Sequence, residues 1–151
     1  MFSNNTIIIL IAILLIYKIC FNFSNYENFG NMDIIMISPQ TLLNLFKKEN
    51  IAIVNTLSNE YHINSNPINL NNNYGKDFID NMNNKKLEKF ELIVLYCANY
   101  TCSAAKKYYK KFKEKFNNLE NKIVFYEGGI FEWGYLSINH PSKFSIIKNK
   151  K

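Results

Sequence analysis

Residues 92–96, Leu-Ile-Val-Leu-Tyr, form an unbroken apolar run that stops at a cysteine, Cys97. A run without polar alternation suits a strand covered on both faces, the condition of strands inside a parallel sheet. Parallel strands need a crossover between them, usually a helix. The next stretch supplies one: from Ser103 to Phe116, the residues Ala104, Tyr108, Phe112 and Phe116 recur every fourth position along one side. A further strand, Lys122 to Tyr126, follows. The chain must therefore build a strand–helix–strand unit here, with Cys97 at the first joint.

Upstream the same alternation appears. Ile34 to Ile37 is a short apolar run, and Ser38 with Pro39 reads as an N-cap and first helical residue. Leu42, Leu43, Leu45 and Phe46 give that helix a buried stripe. Ile51 to Leu57 is a β-branched strand. Residues 58–73 are polar and turn-rich around a short apolar piece at 68–70, and residues 76–82 suit a short helix. No internal repeat is visible. The expected fold class is α/β, an open parallel sheet flanked by helices and joined by right-handed crossovers. A chain of 151 residues has room for one such domain and a short appendage. Its 48% hydrophobic and 15% aromatic content can fill a core and excludes a disordered chain.

The appendage is N-terminal. Residues 6–23 read TIIILIAILLIYKICFNF, apolar without a break from Ile7 to Ile16, with Lys18 placed to snorkel. A cleaved signal peptide wants a positive segment before the apolar run and small residues after it. Here MFSNNT precedes and bulky Tyr17, Ile19 and Phe21 follow, so an uncleaved transmembrane anchor is expected. Lys18 on the carboxyl side places the domain on the cytosolic side by the positive-inside rule. The expected organisation is an N-terminal tail over residues 1–5, an anchor over 6–23, a tether over 24–32, the domain over 33–140 and a basic tail over 141–151.

All 18 basic residues are lysines, and the net charge is +6. Seven lysines fall between Lys106 and Lys122, on a helix whose other side is apolar, so a solvated face explains them and no nucleic-acid partner is expected. Three cysteines cannot form a fully paired disulfide framework, and a reducing compartment is the simpler setting. His62 and His140 lack metal-ligand spacing, so neither a metal nor another cofactor is expected.

In open α/β sheets ligands bind at the carboxyl ends of the strands. Cys97 occupies such an end, and the loop Cys97-Ala98-Asn99-Tyr100-Thr101-Cys102 leads to Ser103, which opens the helix. Unpaired N–H groups and the positive end of the helix dipole stabilise a thiolate and lower its pKa. A curled loop aims further N–H groups at the sulfur. The plain alternative is a buried, inert strand-end cysteine.

The wording of the sequence adds to this placement. Leu92 through Ala105, LIVLYCANYTCSAA, resembles the active-site segment of the rhodanese (sulfurtransferase-like) family, nearest a subgroup with a Cys-Ala-Asn-x-x-Cys loop. Tyr126 through Trp133, YEGGIFEW, resembles that family's closing signature of two glycines followed by a tryptophan. Upstream, Ile37-Ser38-Pro39-Gln40, Ile53-Val54-Asn55, His62-Ile63 and Ile68-Asn69-Leu70 resemble its earlier segments in the right order. The resemblance implies a rhodanese-like sheet and a nucleophilic Cys97 that accepts a sulfane sulfur as a persulfide. The amides of Ala98, Asn99, Tyr100, Thr101, Cys102 and Ser103 are then the cradle for that sulfur. The implied partners are a small sulfur donor and an accepting thiol or protein, beside the membrane.

Two departures matter. Many rhodaneses end the loop on an arginine, and here Cys102 stands in that place; Lys106 or Lys107 lacks the bidentate fork for an oxyanion. Asn55 stands where the family usually has aspartate. Cys102 also opens a redox chemistry as a resolving thiol, provided the two Cα atoms lie within about 7 Å. A catalytically inactive protein-binding module is the remaining alternative. Trp133 and the paired glycines read as structural, the glycines for a turn of positive φ.

Overall fold

The computed structural model describes residues 34–57, 61–69 and 72–148. The expected anchor (6–23) and tether (24–32) lie outside the described residues. Among the described residues, no helix is long and apolar enough to cross a membrane.

Strand β1 (Ile35–Ile37) leads into α1 (Pro39–Leu45). Ser38 caps α1 as expected: its side chain accepts a hydrogen bond from the Thr41 amide at 3.1 Å. Next come β2 (Ile51–Asn55), β3 (Tyr61–Ser65) and β4 (Asn73–Tyr74). Two short helices, α2 (Phe78–Asn81) and α3 (Asn84–Leu87), precede β5 (Leu92–Tyr96). The second half runs through α4 (Ala104–Lys115), β6 (Ile123–Tyr126), α5 (Gly129–Asn139) and β7 (Phe144–Lys148).

Five strands form one parallel sheet in the order β1-β6-β5-β2-β4. The apolar run at β5 lies in its centre, which is why it needs no polar face. Ile51 pairs with Leu92 and Asn55 with Tyr96, so β2 and β5 end together. The chain crosses one way from β1 to β2 through α1, and back from β5 to β6 through α4. With right-handed crossovers this places the two helices on opposite faces.

Each strand therefore feeds two cores on alternate residues. Ile51, Ile53, Val94, Tyr96, Val124 and Tyr126 join Leu42, Phe46 and Trp133 in one cluster, which Ile63 and Phe144 complete. The intervening Ile93, Leu95 and Phe125 turn to the other layer, where Tyr109 meets Phe125 edge-on. Phe112 and Phe116 are buried too; the buried face of α4 is Ala105, Tyr108, Tyr109 and Phe112, so the expected stripe is met at Tyr108, Phe112 and Phe116 and is displaced from Ala104 to Ala105.

The structure differs from expectation in three places. The polar stretch after β2 contains a strand, β3, which pairs antiparallel with β7 as a separate two-stranded sheet. Consequently residues 141–151 are not simply a basic tail: Phe144 is buried and Ile146 packs against the same core. The short strand that follows β3, Asn73–Tyr74, falls beyond the apolar piece noted at 68–70. Trp133 explains the β3–β7 ribbon, since its indole Nε1 donates to the carbonyls of Asn64 (2.9 Å) and Ser145 (3.0 Å), one on each strand.

Several lysines of residues 106–122 are engaged within the fold. Lys115 Nζ donates to the Ile79 carbonyl at 2.8 Å, Lys122 Nζ to that of Phe90 at 2.9 Å, and Lys111 pairs with Asp80 at 2.9 Å. Lys111 and Lys115 tie α2 to α4, and Lys122 ties the residue before β6 to the turn before β5, although an exposed pair such as Lys111–Asp80 adds little stability.

Candidate active site

Cys97 follows the last residue of β5 and is 2% exposed. The loop returns from it to Ser103, the cap residue of α4, whose carbonyl accepts from Lys107 at 3.0 Å. Asn99 organises the loop. Its side-chain Oδ1 accepts from the amide and the hydroxyl of Thr101 at 3.1 and 2.8 Å, and its carbonyl accepts from the Cys102 amide at 3.1 Å. An asparagine that bonds its own backbone two residues on closes a tight turn. Here the turn brings Cys102 back over Cys97. The two Cα atoms are 6.2 Å apart and the sulfurs form a disulfide. That spacing falls within the ordinary disulfide range.

The expected cradle of six amides is thus reduced. The amides of Thr101 and Cys102 are directed to Asn99, because the turn that closes the loop needs them. The amides of Ala98 and Asn99 face another way for a reason that lies in α5. The amide of Ile130 donates to the Cys97 carbonyl and that of Phe131 to the Ala98 carbonyl, each at 3.0 Å. In a trans peptide the N–H points opposite to the C=O. Anchoring these two carbonyls on the first turn of α5 therefore turns the amides of Ala98 and Asn99 away from α5. Those two, with Tyr100 and Ser103, are the loop amides that Asn99 does not engage.

Gly129 makes the anchoring possible. Its φ is +61°, and a Cβ there would lie 2.6 Å from the carbonyl carbon of Ala98 and against the Cys97 carbonyl oxygen. Gly128 differs, with φ −64°, so only one of the paired glycines serves a positive φ. These contacts join the two motifs of the sequence into one site.

The floor is hydrogen-bonded across strand ends. Thr56 donates its amide (3.0 Å) and hydroxyl (2.9 Å) to the Tyr96 carbonyl, one residue before Cys97. Asn55 is fully buried; its amide donates to the Tyr61 carbonyl at 2.8 Å and its oxygen accepts from the Leu57 amide at 2.9 Å. It shapes the loop that follows β2 without a carboxylate. Tyr96 is buried with its hydroxyl accepting from the Ile63 amide at 3.3 Å, and burial pushes its phenol well above the ordinary range. Tyr126 is raised by burial and by Glu132, whose carboxylate accepts from the Tyr126 hydroxyl at 2.6 Å. Neither tyrosine is an acid or base near neutral pH.

Tyr100 is 66% exposed on the loop, and Phe131 is exposed on the first turn of α5. His62 is buried in β3 and burial lowers its pKa, while His140 is exposed at the end of α5. A cleft of about 740 Å³ lined by Phe46, Lys47, Asn69 and Lys143 lies away from this site. Lys47 precedes the start of β2, whereas Cys97 follows the end of β5, so the cleft and the cysteine belong to opposite edges of the sheet.

The pattern of the rhodanese-like domain matches residues 38–135, well over half of the chain. The chain belongs to the rhodanese-like domain family. The match begins at the Ser38 cap and ends in α5, so it includes the Cys97 loop and the Gly129 turn. Among solved structures, the crystal structure of the BH2092 protein from Bacillus halodurans matches at 20% identity, over 79% of this chain and 78% of that one, with a TM-score of 0.41. No curated protein matches. As a rhodanese-like domain the protein has a parallel sheet with helices on both faces and a cysteine-bearing loop at its carboxyl edge.

Cys97 and its loop were expected from the sequence, whereas the part played by Asn99 and by the first amides of α5 was not. For Asn99 the signal was present, since asparagine two residues before threonine suits this type of turn. The amides of Ile130 and Phe131 had no local signal, because their partners lie some thirty residues upstream.

Proposed function

We propose that this protein is a membrane-anchored rhodanese of the Cys-Ala-Asn-x-x-Cys kind that carries a persulfide on Cys97 and passes the sulfane sulfur to a thiol. The observation that carries this reading is the anchored loop: a cysteine at the mouth of α4, with its own carbonyl and that of Ala98 held on the first turn of α5. A thiolate at the N-terminal mouth of a helix is favoured by the unpaired amides and the positive end of the helix dipole there. The Cys97 thiolate attacks the outer sulfur of a persulfide R–S–SH, the donor's S–S bond breaks, and R–S⁻ leaves.

The chain has no arginine, so the loop lacks a bidentate partner for the oxygens of thiosulfate. The favoured donor is therefore a persulfide, whose transferring end carries no oxyanion. Residues 6–23 support a membrane anchor on their sequence alone, with the domain on the cytosolic side.

Two measurements test this. The rate of sulfur transfer from a small alkyl persulfide to an accepting thiol should fall to background in Cys97→Ser, and an unchanged rate rejects the role of Cys97. The full chain should resist alkaline extraction from membranes and yield to detergent; release at alkaline pH rejects the anchor.

A further inference from the structure

The loop ends on a second cysteine, Cys102, and that cysteine is bonded to the first. Resting on the persulfide reading above, we infer that Cys102 resolves the Cys97 persulfide, so that the protein reduces sulfane sulfur to sulfide and closes the Cys97–Cys102 disulfide.

The geometry adds this step to simple sulfur relay, as a second fate of the same persulfide. A persulfide on Cys97 has two sulfurs open to attack: the outer one, which a relay would move onward, and Sγ itself. The turn built by Asn99 delivers Cys102 to Sγ of Cys97, as the disulfide shows. The Cys102 thiolate attacks Sγ, the bond from Sγ to the outer sulfur breaks, and that sulfur departs with the electron pair as hydrosulfide. Two cysteine thiols are oxidised to one disulfide, and one sulfane sulfur is reduced to sulfide. Hydrosulfide is the conjugate base of a stronger acid than a cysteine thiol, and exchange is faster when the leaving group is the weaker base.

The cycle needs a reductant, and its class follows from the product. An external dithiol opens the disulfide by two exchange steps, returns both cysteines to thiols and leaves as a disulfide itself. One full turn converts a persulfide R–S–SH and a dithiol into the thiol R–SH, hydrogen sulfide and an oxidised dithiol. Cys97, nearly buried, presents little surface to the dithiol, whereas Cys102 is half-buried, so opening starts with attack on Cys102.

Asn99 is a positioning residue for this step. Both of its oxygens hold the return of the chain, and neither touches the sulfurs through any bond described for it.

The test uses the full chain, reduced, desalted and mixed with one equivalent of a small alkyl persulfide. Wild type should lose about two mass units and release one equivalent of sulfide, whereas Cys102→Ser should keep a gain of about 32 mass units with a persulfide lifetime at least tenfold longer. Cys102→Ala serves as a second trapping variant. Added dithiol should make sulfide release catalytic in wild type and leave both variants at least tenfold slower. Equal persulfide lifetimes in wild type and both variants, without sulfide release, overturn the resolving role and leave the carrier role of Cys97 standing. Failure of the variants to gain sulfur at all overturns both readings.

Discussion

Gly129 lies so close to the Cys97 carbonyl that no side chain fits between them. The sulfur-bearing loop and the glycine turn are thus one construction: the turn supplies the amides of Ile130 and Phe131, and the loop supplies the carbonyls that meet them. Gly129→Ala adds a methyl group to this contact and forces a side chain into left-handed backbone. The expected loss is about 2–4 kcal/mol of stability. Sulfur loading should fall with it, even at temperatures where the variant stays folded. Thermal unfolding and loading rate, measured side by side, check both parts.

Asn99 acts on the loop alone. Asn99→Ala removes the acceptor for both Thr101 bonds, and a loop released from its turn should slow persulfide resolution about ten- to hundredfold. Asn99→Asp keeps an oxygen in place for both donors and should stay nearer wild type. Because the turn is exposed, stability should change by less than about 1 kcal/mol in either variant. Sulfide release by stopped flow, with a denaturant curve for each protein, separates the loop effect from unfolding.

Trp133 ties the β3–β7 ribbon to the main core through two carbonyls and three aromatic neighbours, Phe46, Tyr126 and Phe144. Trp133→Phe keeps most of the apolar surface but leaves two carbonyls without the indole donor, a loss of about 1–3 kcal/mol. Trp133→Ala should cost about 3–5 kcal/mol. Hydrogen exchange should show the extra opening first in Tyr61–Ser65 and Phe144–Lys148.

His62 gives the fold a pH dependence of definite sign. Burial holds its folded pKa below 6.5, and its Nδ1 is buried without a hydrogen-bond partner among the described residues. As pH falls through 6.5 the unfolded chain takes up a proton that the folded protein resists, so stability declines. The decline ends once pH is below the lowered folded value. In His62→Gln the slope of stability against pH between about 7 and 5 should be shallower than in wild type. Denaturant titrations across that range measure it directly.

The elements with a strong local pattern were legible in the sequence. The unbroken run at Leu92–Tyr96, the stripe of α4 and the Ser38–Pro39 start of α1 each follow from periodicity or capping within a few residues. The β3–β7 ribbon was not legible, because Tyr61–Ser65 carries His62, Asn64 and Ser65 and pairs with a segment some eighty residues away. Asn64 sits inside by bonding to backbone: it donates to the Asn69 carbonyl and accepts from the amides of Ser65 and Asn69. At the site, the cysteine and the loop were legible from strand and helix on either side. The distribution of loop amides was not, since it depends on where α5 begins.

Whether Cys97 carries the sulfur is tested most directly by peptide mapping of the Cys102→Ser protein after a brief treatment with alkyl persulfide. The account predicts a gain of about 32 mass units on the peptide that contains Cys97, lost on reduction and absent when Cys97→Ser is added. Sulfur found on Cys20 alone, or an unmodified Cys97 under conditions that modify a free thiol, would contradict it.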